Sequence, residues 1–352
     1  WADPGGLLKV GPHSAGANPG PALYGLGGAD ATVTDANVVL GRLSGAALIG
    51  GAMTVYPEKS HDAVARLGAQ IGLNPIATAA GIIEIVNVNM MGAVRAVSIE
   101  KGEGPRHYAL AAFGGAGPLH AAGVAVEMGM DTVVVPTRPG ILSALGLLDA
   151  DVRGDFSITR LVPLTDESAD ALRDGADILA ARGVAWRTAE GLDVDKVTTA
   201  WTADLRYAGQ AFELTAMVPA KSELPTFDAE TLTALIAEFH RRHETVNGYA
   251  MDGHAVELVN LRLSVAAIRP SAGGVESGND NEPAMAASRP VWFADVGFVE
   301  TPVRDRASLA TGSTFKGPMI VEQMDTTLVI PPAATATVHA DGDLILRLGK
   351  GA

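Results

Sequence analysis

A chain of 352 residues, 47% hydrophobic and 19% charged, exceeds the usual size of one domain and has ample material for a core. Two or more folding units are expected, and wholesale disorder is excluded. With 40 acidic residues against 26 basic ones the formal net charge is −14, and 4 Trp, 5 Tyr and 8 Phe leave few stacking surfaces. Both features argue against a nucleic-acid partner. The absence of cysteine excludes disulfides, thiolate metal ligands and a cysteine nucleophile, and it fits a reducing, cytoplasmic setting.

The sequence opens on Trp1 with neither Met nor a basic leader, which suggests a fragment or a processed chain without a signal peptide. Residues 1–28 are rich in Gly and Pro and read as an ordered, winding loop. The segment VTDANVVLGRL follows as a short helix that Thr34 or Asp35 caps. A clearer helix starts at Ser60, with Val64, Leu67, Gly68 and Ile71 on one face. Residues 76–97 are apolar on nearly every side, so a helix buried on most faces is expected. Glu84, Asn87, Asn89 and Arg95 interrupt this stretch, which argues against a membrane span and calls for hydrogen-bond partners.

Residues 108–113, 119–128 and 132–136 read as strand, helix and strand, a βαβ unit in a parallel, doubly covered sheet. Beyond about Arg153 the pattern changes. Helices are predicted over 167–182, 185–190 and 228–246, and strands over 197–218 and 256–266. Residues 269–288 are polar and aperiodic, the mark of a linker. The tail is a set of short strands with a hairpin turn at ADGD. The domain reading is therefore 1–155, 156–268, a linker at 269–288, and a β-rich segment 289–352 packed on the domain before it.

The strongest local feature is AFGGAGPLHA, where a strand ends, Gly114-Gly115-Ala116-Gly117 turns, and a helix begins near Pro118. Glycines admit a ligand to the main chain, and a helix N-terminus offers N–H groups and partial positive charge to a phosphate. Nucleotide contact and a tight βα turn with no ligand both stay open. Neither a Walker A loop nor a dinucleotide fingerprint is present in this string. His120, in the first helical turn, faces a ligand, binds a metal, or simply packs or donates to a backbone carbonyl. Asp35, with Asn37 in TDAN, presents a carboxylate to Mg2+ or acts only as a helix cap. His240 and His243 stand in the order HxxHE, which is not a zinc-protease motif, and no third ligand is evident. Asp149, Asp151 and Asp155 read as a solvated loop that could also reach a nucleotide metal.

Taken together, several strings resemble the hydantoinase A / 5-oxoprolinase family. They include SAGANPGPALYGLGG (14–28), TVTDANVVLGRL (32–43), AAGIIEIVNVNMMGAVRAVSIEKG (79–102) and ALAAFGGAGPLHA (109–121). VPTRPGILSALGLLDADVRGDF (135–156), DLRYAGQAFEL (204–214) and GPMIVEQMDTTLVIPP (317–332) extend the match over nearly the whole chain. The resemblance implies an α/β fold: part of an actin-like ATPase domain of the sugar kinase/Hsp70 type, then a smaller, strand-rich α+β domain. It implies an ATP- and Mg2+-dependent hydrolase that phosphorylates the oxygen of a cyclic amide. An acetone- or acetophenone-type carboxylase subunit and a non-catalytic scaffold fragment are the alternatives. Asp35 and His120 become candidate catalytic residues, with Asp35 also the candidate metal ligand. Gly114, Gly115, Ala116, Gly117 and Asn37 become candidate nucleotide contacts. A B-type partner subunit, an upstream half of the ATPase domain and an oligomeric assembly are implied as well. Two departures stand out. The family's N-terminal phosphate loop is missing here, which implies that this chain alone does not hydrolyse ATP. Leu23 stands where the family often has Cys.

Overall fold

In a computed structural model, which describes residues 1–193, 197–220, 224–267 and 287–349, the chain sorts into two units. The first takes Trp1–Ile99, Glu103–Leu145 and the described C-terminal residues, and the second takes Glu100–Gly102 and the described residues between 146 and 267.

In the first unit, helix α1 (Val33–Val39) starts on a capping box between Thr32 and Asp35. A small ribbon of β1 (Ala47–Leu48) and β2 (Met53–Thr54) follows. Helix α2 (Pro57–Ile71) opens on Pro57 and stops at Gly72, whose φ of 71° suits glycine. Helix α3 (Pro75–Val97) is capped by the Asn74 side chain, which accepts from the Ala77 N–H at 2.8 Å. These helices bury Ala36, Val39, Val64, Leu67, Ile82 and Ile83 together. The expectation of a helix buried on most sides holds only for the first half of α3. Val88 and Val97 are exposed, as are Glu84, Asn89 and Arg95. By length and composition Pro75–Lys101 could cross a membrane, yet its first turns are part of this core.

Strand β3 (Leu110–Ala111), helix α4 (Gly117–Glu127) and strand β4 (Thr132–Val135) form the expected βαβ unit, with β3 and β4 parallel. Helix α5 (Leu142–Asp149) follows, exposing Leu147 and Leu148.

The second unit comprises β5 (Val152–Pro163), α6 (Ala169–Ala189), β6 (Val197–Tyr207), β7 (Leu214–Met217), α7 (Ala229–Asn247) and β8 (Val256–Ala267). Its antiparallel sheet runs β5-β8-β6-β7, and Leu172, Leu179, Leu235 and Phe239 of the two helices pack on Leu205 and Leu261. Helix α6 is continuous where the sequence reading broke it. Along β8 the alternation changes phase beside a register shift: Leu258 and Leu261 are both buried, while Asn260 and Arg262 donate to Asp204 at 2.9 and 2.8 Å. His240 Nδ1 contacts the Tyr207 hydroxyl at 2.6 Å and His243 Nδ1 the Tyr249 carbonyl at 2.7 Å. Among the described residues no group of three metal-ligating side chains exists, so this pair is structural. Asp155 pairs with Arg153 at 2.9 Å.

The C-terminal residues add β9 (Ala287–Phe293), β10 (Gly297–Asp305), β11 (Thr314–Lys316), β12 (Met319–Gln323), β13 (Thr326–Ile330), β14 (Thr335–Val338) and β15 (Leu344–Arg347). Four of them form a sheet ordered β13-β12-β10-β9. The others complete a five-stranded sheet, β11-β14-β15-β4-β3, in which β15 lies antiparallel to β4 and pairs Leu344 with Val135. The ADGD turn joins β14 to β15 as expected, with Gly342 at a φ of 82°.

Three expectations are thereby corrected. The tail, expected on the domain before it, instead enters the sheet of the first unit, because the apolar strand TVVV leaves an edge that must be paired. That sheet is consequently mixed rather than wholly parallel. The first stretch of the first unit also ends at Leu145 rather than at 155, because β5 pairs with β8. The linker reading falls outside the described residues up to 286, and Ala287 and Ser288 begin β9.

Candidate functional site

The loop after α1 is built to hold one side chain. Gly41 has a φ of 72°, and a Cβ there would lie 2.1 Å from the Pro290 carbonyl oxygen, so only glycine fits. The Trp292 N–H donates to the Leu40 carbonyl at 2.9 Å. Arg289 donates to the Gly41 carbonyl at 2.6 Å, to the Arg42 carbonyl at 2.9 Å and to Glu322 at 2.7 Å. The Arg42 N–H in turn donates to the Asn37 carbonyl at 2.9 Å.

With its backbone held on both sides, Arg42 lines a cavity of about 670 Å3 within the first unit. Ile83, Leu119, Val126, Trp292, Phe293 and Val329 supply apolar wall. Among the described residues the buried Arg42 Nε has no hydrogen-bond partner. Burial pushes its pKa down to about 10. Glu84, Glu127 and Asp295 also line the cavity and are exposed.

His120 is buried in the same wall. Its Nδ1 lies 2.9 Å from Asn87 Oδ1, and its Nε2 lies 3.5 Å from the Asn37 amide nitrogen. This arrangement assigns the ring proton to Nδ1, donating to Asn87. Asn37 also donates to the Val33 carbonyl at 3.0 Å, and its Oδ1 is buried without a partner. Burial first, and the charge of Arg42 second, push the His120 pKa down to about 4. The imidazole is therefore neutral near pH 7. Of the four polar residues noted in 76–97, Asn87 alone joins this network, while Glu84 reaches the cavity rim.

Asp35 is not free for chemistry. Its fully buried carboxylate accepts from the N–H groups of Ala22, Leu23 and Thr32 at 3.3, 2.9 and 3.0 Å. It also accepts from the Thr32 and Ser60 hydroxyls at 2.7 and 2.6 Å. Five donors saturate its lone pairs, so the expected metal and catalytic roles are corrected to a structural one: Thr32 is the N-cap, and Asp35 closes the capping box from the third helical position. Mg2+ does not fit there.

The glycine turn stands apart from the cavity, whose lining contains none of Gly114, Gly115, Ala116 and Gly117. Gly115 and Ala116 are exposed, and the first turn of α4 has no side-chain cap. The Gly114 N–H donates to the Pro139 carbonyl at 2.7 Å, and the Thr326 hydroxyl donates to the Gly115 carbonyl at 2.9 Å. A Cβ on Gly115 would meet nothing nearer than the Asp325 carbonyl oxygen at 3.5 Å, so packing within the protein does not require glycine there. Asp325, beside this turn, keeps a buried Oδ1 without a partner. The structure thus brings together Asn37, Asn87, His120 and Arg42, and leaves Asp35 and the glycine turn outside that group. Sequence reasoning missed Arg42, Trp292 and Asp295. The signal for Arg42 was a lone cation placed directly after the helix-ending glycine of VVLGRL.

The family model described as hydantoinase/oxoprolinase matches residues 1–156, and that of the hydantoinase/oxoprolinase C-terminal domain matches 165–348. Caprolactamase subunit alpha of Pseudomonas jessenii is 35% identical over 93% of this chain and 48% of its own length. The gamma subunit of acetophenone carboxylase from Aromatoleum aromaticum is 30% identical over 97% of this chain and 48% of its own length. The crystal structure of the ATP-dependent caprolactamase from Pseudomonas jessenii superposes with a TM-score of 0.86 at 33% identity, covering 99% of this chain and 51% of that one. The chain thus spans about half the length of these relatives. The mixed α/β architecture and this likeness bear out the fold expected from the resemblance.

Proposed function

The chain belongs to the hydantoinase/oxoprolinase family, and on that premise we propose that it is part of a subunit of an ATP-dependent enzyme that opens cyclic amides. The observation that carries this reading is the uncapped mouth of α4 behind the turn Gly114 to Gly117, whose Gly115 and Ala116 are exposed. Main-chain N–H groups and partial positive charge there suit a phosphate, and Gly115 leaves room for it.

An amide is a poor electrophile, and bound ATP supplies the phosphoryl group that makes its oxygen a leaving group. This chain contributes position and charge. Gly115 and Ala116 hold the nucleotide side, while Arg42 and the neutral His120 face the separate cavity. A B-type subunit and an upstream half of the ATPase domain complete the enzyme in this reading, in an oligomeric, cytoplasmic assembly. The subunit names of the relatives support a multi-subunit arrangement. The likeness to acetophenone carboxylase favours one alternative, a carboxylase subunit that uses ATP on a ketone with bicarbonate.

The test is substrate-dependent ADP release in the full-length background with its partner supplied. Release driven by caprolactam, 5-oxoproline or a hydantoin supports the cyclic-amide reading. Release driven only by a ketone with bicarbonate replaces it with the alternative, and no release with any of them overturns both.

A further inference from the structure

We propose that the cavity beside Arg42 binds a linear amino acid whose carboxylate and ammonium groups are separated by an apolar chain. The choice of this class rests on the cyclic-amide reading, because ring opening of a cyclic amide yields one carboxylate and one amine. The charge pattern that points to it does not depend on that reading.

The first observation is the guanidinium of Arg42. Arg42 is half-buried, and a buried donor such as its Nε without an acceptor is costly, for which the usual remedy is a paired acid. Among the described residues none is within ion-pair reach, although the cavity has three carboxylates on its lining. A ligand carboxylate would meet the planar fork with two parallel hydrogen bonds. The second observation is where those three acids stand. Glu84, Glu127 and Asp295 are exposed, whereas the Nε of Arg42 is buried. A molecule seated with its carboxylate on Arg42 thus presents its other end to negative charge, which an ammonium satisfies.

Much of the remaining lining is apolar, and a volume of about 670 Å3 holds a small organic molecule comfortably. The same three acids oppose a nucleotide, whose phosphates would bring several further negative charges. The glycine turn lies outside the lining, so the two ligands need not compete.

The experiment measures binding of 6-aminohexanoate, hexanoate and ATP in the full-length background by calorimetry and ligand-observed NMR. The expected result is saturable binding of 6-aminohexanoate, tighter than hexanoate and not displaced by ATP. Arg42→Gln should weaken it by about tenfold or more. This variant removes a buried donor that lacks an acceptor, so it should melt no lower than the parent. Glu127→Gln, at an exposed position, should narrow the preference for 6-aminohexanoate over hexanoate. No binding by the parent chain, unchanged affinity in Arg42→Gln, an unchanged preference in Glu127→Gln, or displacement by ATP would each overturn the proposal. Amide-driven ADP release without amino-acid binding sinks this inference alone. Amino-acid binding without any such release sinks the ATP reading alone.

Discussion

The guanidinium of Arg289 donates to the carbonyl of Arg42 at 2.9 Å, so a strand near the C-terminus holds the cation that follows the first helix. The two residues are 247 positions apart in the chain. Replacing Arg289 by Ala frees the Gly41 and Arg42 carbonyls and the Glu322 carboxylate together. A loss of about 2 kcal/mol in urea denaturation is expected, with partial recovery in Arg289→Lys. An unchanged midpoint would mean the loop is held by other contacts.

His120 makes stability depend on pH. Its folded pKa, about 4, lies below the ordinary 6.5, so the unfolded chain binds the extra proton first. The stabilisation from keeping the ring neutral is fully present above pH 6.5 and is lost as pH falls toward 4. It amounts to about 3 kcal/mol. Denaturation between pH 7 and 4 should show this slope, and His120→Gln should flatten it. An equal slope in the variant would assign the effect to other groups.

Asp35→Asn exchanges an acceptor of five hydrogen bonds for an amide whose NH2 faces donors. A loss of about 3 kcal/mol is expected on thermal or chemical denaturation. If the variant melted like the parent but lost nucleotide turnover, the structural role given to Asp35 would be wrong.

Gly115→Val tests the nucleotide reading without disturbing the fold. The added Cβ finds only an ordinary contact at 3.5 Å, and Gly115 is not among the glycines with positive φ. In a full-length background the melting temperature should stay put, while ATP affinity falls by about tenfold or more as the side chain fills the approach to the main chain. Unchanged affinity would remove Gly115 from the site.

Much of the local structure was legible because it is set by neighbours in the chain. The strand, glycine turn and helix around Gly114 follow from an apolar run, flexible residues and Pro118 in the first helical turn. The start of α1 was legible in TDAN, but its N-cap is Thr32 rather than Thr34 or Asp35, and Asp35 closes the capping box from the third helical position. The face of α3 was not: apolar residues on every side say that the helix is wanted somewhere, not which turns are covered. In β8 the register shift moved Leu261 and Leu263 onto the buried face, a change of phase that strict alternation does not announce.

Composition, periodicity and motif order by themselves determined the element types, the βαβ unit, the family and the exclusion of thiol chemistry. Only the tertiary structure decided that β15 closes on β4, that Asp35 is spent on capping, and that Arg42, Asn87 and His120 meet at one cavity. The reason is physical. Backbone propensities and caps act over a few residues, whereas the environment of a buried charge depends on strands and helices that arrive from anywhere in the chain.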